Sequence, residues 1–219
     1  AATSTSTASE QPSIAVLPFA NMSADPDQEY FSDGLAEEII NALAQVRGLK
    51  VIARTSSFAF KGQNTDVRRI ADTLGVATVL EGSVRKAGHR IRVTAQLITA
   101  RDGSHLWSQR YDRDLEDIFA VQDEIAVAIA DALKVTLASG HRALQKYQPS
   151  VPAYEAFLRY RHHQWSFTPE STQKSRECLE DAIRLDPDFA LPYVGLADGF
   201  LASALVALGC ILMRKCHLG

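Results

Sequence analysis

Apolar and polar positions change their period several times along the chain, and each change marks an element. Residues 14–19 form a short apolar run closed by Pro18 and a polar loop, which predicts a buried strand. Asn, Ser, Asp and Pro over 21–27 are turn formers. Phe31, Leu35, Ile39, Leu43 and Val46 then recur at helical spacing, and Gly48 is a natural stop. Residues 49–54 predict a second strand. Asn64, Thr65 and Asp66 offer an N-cap to a second helix whose face is Val67, Ile70, Ala71 and Leu74. Residues 76–84 are rich in β formers, and 86–89 read as a hairpin turn. Ile91, Val93, Ala95 and Leu97 alternate with Arg90, Arg92, Thr94 and Gln96, the pattern of a half-buried strand. After a turn at 101–103 comes a strand over 105–111. A third helix follows over 117–137, with Ile118, Val121, Ile125, Ile129 and Leu133 on one face. The order β-α-β-α-β-β-β-α predicts an α/β to α+β domain, a mixed sheet with flanking helices.

From Pro152 onward the pattern is helical throughout. Thr168-Pro169 is an N-cap with Pro at the first helical position. Ser175, Leu179, Ala182 and Pro187 resemble one tetratricopeptide unit. Ala190, Tyr193, Leu196, Ala197 and Phe200 resemble the first helix of the next, and Ala153, Tyr154, Phe157 and Leu158 that of the one before. The expected organisation is a linker over 1–12, an α/β domain over 13–138, a linker over 139–152 and an incomplete tetratricopeptide-type array over 153–219.

Composition narrows the picture. A net charge of −3 gives no field for nucleic acid or an anionic membrane. Cys178, Cys210 and Cys216 have neither metal nor redox spacing, and an odd count argues against a disulfide framework. The apolar run 199–213 has 15 residues, short of the roughly 18–20 of a spanning helix, so a buried helix is expected there. P-loop, G-x-G-x-x-G, H-E-x-x-H and G-x-S-x-G motifs are absent. His162 and His163 are adjacent and point to different sides of a helix, which argues against a shared metal. No cofactor or metal is expected.

Specific runs carry a resemblance. They are Ile14-Ala-Val-Leu-Pro-Phe19, Tyr30-Phe-Ser-Asp-Gly-Leu35, Ala53-Arg-Thr-Ser-Ser-Phe58, Phe60-Lys-Gly62, Leu80-Glu-Gly-Ser-Val-Arg85, Trp107-Ser-Gln-Arg-Tyr-Asp112 and Asp117-Ile-Phe-Ala-Val-Gln-Asp-Glu-Ile125. Together they resemble the TolB amino-terminal-like domain that precedes tetratricopeptide repeats in bacterial signalling proteins. The resemblance implies a non-catalytic sensory or scaffolding module, attached to a nucleotide cyclase, a winged-helix regulator or a serine/threonine kinase. It also implies a natural chain that extends further and a periplasmic rather than cytoplasmic location, with membrane contact only through a segment absent from this sequence.

Candidate sites follow from residue type. Arg54, Lys61, Arg85, Arg90 and Arg92, with Lys86 and the nearby aromatics Trp107 and Tyr111, are either the wet face of a sheet or a surface for a small anion, a nucleotide or a single strand of nucleic acid. The overall negative charge counts against the last. Phe58 and Phe60 lie in residues 55–62, a stretch too short and polar to predict as helix, and either anchor a loop or join an interaction surface. Tyr193 and Phe200 are the corresponding candidates on the helices. Asp25, Asp27, Glu29 and Asp33 read as complements to a helix N-terminus, and Glu37-Glu38 as solvated helix positions. Protein partners or self-association are expected.

Overall fold

The computed structural model describes residues 11–135, 147–164, 166 and 168–201. The chain divides into two compact units, one ending at Gln145 and the other beginning at Lys146.

The first unit is a six-stranded mixed sheet with helices against it. Its strands are β1 (Ser13–Val16), β2 (Ala20–Asn21), β3 (Lys50–Val51), β4 (Thr78–Ala87), β5 (Arg90–Thr99) and β6 (His105–Asp114). Its helices are α1 (Glu29–Ala44), α2 (Arg54–Phe58), α3 (Val67–Leu74) and α4 (Ile118–Ala132). The strand order is β3-β1-β4-β5-β6, with β2 also on β4. Pairing is parallel from β3 through β1 and β2 to β4, and antiparallel from β4 through β5 to β6. Leu80, Val84, Ile91, Val93, Ala95 and Leu97 face α1 and α4, whose apolar stripes of Phe31, Leu35, Ile39, Leu43, Ile118, Val121, Ile125 and Ile129 complete the core. Ala15 and Val79 turn to the opposite face and pack on Ala71 of α3. The rest of that second face, around Arg85, Arg92 and Arg110, is exposed.

Three elements depart from the sequence expectation. The strand expected over 14–19 is broken. Val16 pairs with Leu80 and Ala20 with Ser83, so residues 17–19 stand against residues 81–82 as a bulge. Pro18 has no N–H to give the ladder, which is why the interruption falls there. The strand expected over 49–54 shrinks to Lys50–Val51. Residues 55–62, read as non-helical, begin within a short helix, Arg54–Phe58. In α3, Asp66 is the N-cap, accepting from Arg68 N, and Gly75 at φ 63° closes the helix in the left-handed region.

The second unit comprises α5 (Val151–His163), α6 (Pro169–Leu185) and helical residues 190–201. Thr168 and Ser171 form a reciprocal cap at the start of α6. Ala153, Ala156, Phe157, Leu179, Ala182 and Phe189 are its buried core, with Tyr160 and Leu196 against them. Most of the apolar run 199–213, with Cys210 and Cys216, lies outside the described residues, as do residues 136–137 of the expected third helix and most of both expected linkers. Among the described residues no helix is long and apolar enough to cross a membrane.

Candidate functional site

The densest polar cluster joins α1 to the segment 54–62. Asp33 and Glu37 lie one turn apart on α1 and are only 4% and 7% exposed. Arg54 brings Nε to 3.1 Å from Glu37 and lays its guanidinium 4.1 Å over the Phe58 ring, four residues on. Lys61 Nζ donates to Asp33 and reaches Glu29 at 2.9 Å. Burial by itself lowers the Lys61 pKa, but hydrogen bonds to Asp33 and Glu29 outweigh it and hold the ammonium above its ordinary value. The reading of Glu37 as solvated is therefore corrected. Asp33 sits inside α1, not at its start, and binds Lys61. Asp25 is the true cap of the cluster, accepting from Asp27 N at the turn Pro26–Gln28. Buried carboxylates need cations close by, and Arg54 and Lys61 supply them.

Beside this clasp runs a groove of ≈ 630 Å³, walled by Phe60 and Gly62–Thr65 on one side and by Glu81, Thr94 and Gln96 on the other. Phe19, from the β1–β2 bulge, forms its floor at Gly82. A Cβ on Gly82 would meet the Phe19 ring at 2.8 Å and Thr94 O at 2.5 Å, so the close approach requires glycine.

The open sheet face holds the other candidate cations. Arg85 and Arg92 are cross-strand neighbours. Arg92 Nε donates to Asp112 at 2.9 Å, Arg90 lies 3.1 Å from Asp114, and Arg110 lies 3.5 Å from Asp112. The Arg92 hydrogen bond holds the Asp112 carboxyl below its usual pKa. Arg85 Nε donates to Met22 O at 3.1 Å. Trp107 pairs with Leu97, on the helix-covered face. The structure thus brings Arg85, Arg90 and Arg92 to one surface, sets Arg54 and Lys61 against α1, and turns Trp107 the other way. The acids Asp33, Glu37, Asp112 and Asp114 were not singled out from sequence as partners. Their signal was the matching count of cations in segments that the topology places beside them.

On the helical unit, Tyr193 is 46% and Phe200 61% exposed. The Tyr193 hydroxyl donates to Pro187 O at 3.1 Å, and Arg176 lies 5.6 Å over the Phe200 ring. Tyr147 donates to Asp186, which also accepts from Ser150 N at 2.7 Å.

Comparison with known proteins adds three kinds of likeness. A curated relative from Rhizobium meliloti (strain 1021), named "Putative adenylate cyclase 3", is 48% identical over 189 residues. The match covers 85% of this chain and 32% of the relative, so the chain spans about a third of that protein's length. Among solved structures, TolB from Acinetobacter baumannii aligns with a TM-score of 0.42 at 17% identity, over 57% of this chain and 28% of that one. The lipoprotein GNA1162 from Neisseria meningitidis aligns with a TM-score of 0.41 at 18% identity, over 55% of this chain and 99% of that one. Residues 9–128, the whole of the described sheet and its helices through most of α4, match the family described as HilA/YgeH-like transcriptional regulator, second domain, and the chain belongs to that family.

Proposed function

We propose that this chain is a non-catalytic interaction module of a signal-transduction protein, passing a signal to an effector carried elsewhere. One observation carries the reading. The same stretch matches the second domain of a transcriptional-regulator family and about a third of a relative named as a cyclase. A unit shared by proteins with different named outputs is the part that does not itself make the output. The paired helices α5 and α6, with their tetratricopeptide-like positions Leu179 and Ala182 buried, support a protein partner as the input. Phe60 on the α/β unit and Tyr193 and Phe200 on the helical unit are the aromatic positions offered to that partner.

Two measurements test this. The purified chain, given ATP or GTP with magnesium or manganese, is expected to form no cyclic nucleotide. Deleting the aligned segment from the Rhizobium meliloti relative is expected to leave cyclic-nucleotide formation in the remaining two thirds and to change its level or its response. Turnover by the isolated chain overturns the proposal. So does a deletion variant that folds, loses all synthesis and regains it only when the segment is restored.

A further inference from the structure

Strand β6 closes the sheet on one side, pairing with β5 and, among the described residues, with no other strand. An edge of 10 residues is a template for another strand unless something guards it. The ladder shows which backbone groups are on offer. Leu115 N donates to His89 O at 2.7 Å, which makes that pair the hydrogen-bonded kind. Alternation then gives Ile91/Arg113, Val93/Tyr111 and Ala95/Gln109 the same type. The N–H groups of Ser108, Arg110, Asp112 and Asp114 therefore point away from β5 along the edge, with the C=O groups of Ser108 and Arg110, while Asp112 O accepts from Arg113 Nη1 at 3.2 Å and Asp114 stands at the N-cap of the turn Leu115–Asp117.

The side chains of those residues select the occupant. An edge guarded by charge carries groups that repel an incoming strand in every register. Here a base, Arg110, is followed on the same face by two acids, Asp112 and Asp114, and one register sets base opposite acid in both directions. We propose that β6 pairs antiparallel with β6 of a second copy, about a twofold axis at Tyr111, so that two sheets become one. In that register Arg110 of each copy lies opposite Asp112 of the other, and Ser108 opposite Asp114. An axis at Arg110 would set Arg110 against itself, and an axis at Asp112 would set Asp112 against itself. An axis at Gln109 places Asp112 opposite Leu106 and pairs no opposite charges. Directly opposed unlike charges stabilise a strand pair and like charges destabilise it, so the Tyr111 register wins. Arg110 is 66% exposed and Asp112 39%; within one copy Arg110 Nε lies 3.5 Å from Asp112, both of whose oxygens also accept from Arg92, and the twofold register gives each Arg110 a second, directly opposed carboxylate.

The test is sedimentation equilibrium on the whole chain, with charge reversals chosen to restore one another. Wild type is expected to form a concentration-dependent dimer. R110D alone sets acid against acid at both contacts, and D112R alone sets base against base. Each is expected to weaken the dimer on the order of tenfold. An equimolar mixture of the two variants restores every unlike pair and is expected to give a heterodimer of wild-type affinity, which also shows that both variants are folded. A monomeric wild type overturns the proposal, as does a dimer indifferent to both reversals or a mixture that fails to associate.

Discussion

At the scale of single residues, two positions bear the heaviest constraint. Gly82 lies under Phe19, where a methyl group would come within 2.5 Å of a backbone oxygen that cannot swing aside. Gly82→Ala is expected to destabilise the α/β unit by about 1–3 kcal/mol, read from the urea midpoint, with the Phe19 ring displaced from the groove floor. Lys61 is the other. Its ammonium neutralises the buried Asp33 carboxylate, so Lys61→Met leaves that carboxylate short of its cation. The lysine side chain is 33% exposed, which moderates the loss to about 2 kcal/mol. The pH dependence follows from the raised pKa. A base held more strongly in the folded state stabilises fully below its unfolded pKa of about 10.4, and that contribution fades as pH rises through the higher folded value. Wild type is therefore expected to lose stability faster than Lys61→Met in urea titrations carried into the alkaline range. Equal slopes would show that the pair contributes nothing.

At the scale of elements, long periodic segments were legible in the sequence and short ones were not. The faces of α1, α3, α4 and β5 were readable because each repeats over several turns or alternations. The helix Arg54–Phe58 was not, because five residues hold barely one period and its Thr and Ser favour turns. Tertiary fastening decides it, through Arg54 stacked on Phe58 and paired with Glu37. The cations of the candidate site were legible as charge, while their partners on α1 were hidden because helix burial of a carboxylate depends on a segment some twenty residues away. In the helical unit a comparable fastening joins the residues before α5 to the end of α6. The Tyr147 hydroxyl donates to Asp186, and that bond pushes its pKa up to about 12. A tyrosine held neutral in this way stabilises the fold below its ordinary pKa of about 10, and the effect disappears as pH rises through 12. Ultraviolet titration is expected to lose a late-ionising tyrosine on Tyr147→Phe, while Tyr111 and Tyr160, whose pKa values burial raises, still ionise late. At the other end of α6, Thr168→Ala deletes the cap to Ser171 and is expected to cost about 1 kcal/mol, measured by thermal unfolding.

At the scale of the whole molecule, the two units differ in how much core each commands. The α/β unit buries β1 throughout and the helix-side face of β5, with Val93, Ala95 and Leu97 at 0% exposure and Tyr111 of β6 buried beside them. The described core of the helical unit gathers Phe157, Leu179 and Phe189 with three alanines, and Tyr154 and Leu158 are buried beside them on α5. Stacked helical repeats gain stability from each neighbour, and an array of fewer than about three units is marginal alone. Small cores of this kind also leave little margin against the entropy of ordering the chain. Unfolding of the intact chain in urea is therefore expected in two steps, with helical circular dichroism falling first. The near-ultraviolet signal from Trp107 and Tyr111 should persist to a higher midpoint. A fragment ending at Gln145 should retain that second midpoint unchanged, because the sheet and its helices contain their own core. A single coincident transition, or a fragment with a lowered midpoint, would mean that the α/β unit draws stability from the helices, and that a signal entering at one unit reaches the other through folding itself.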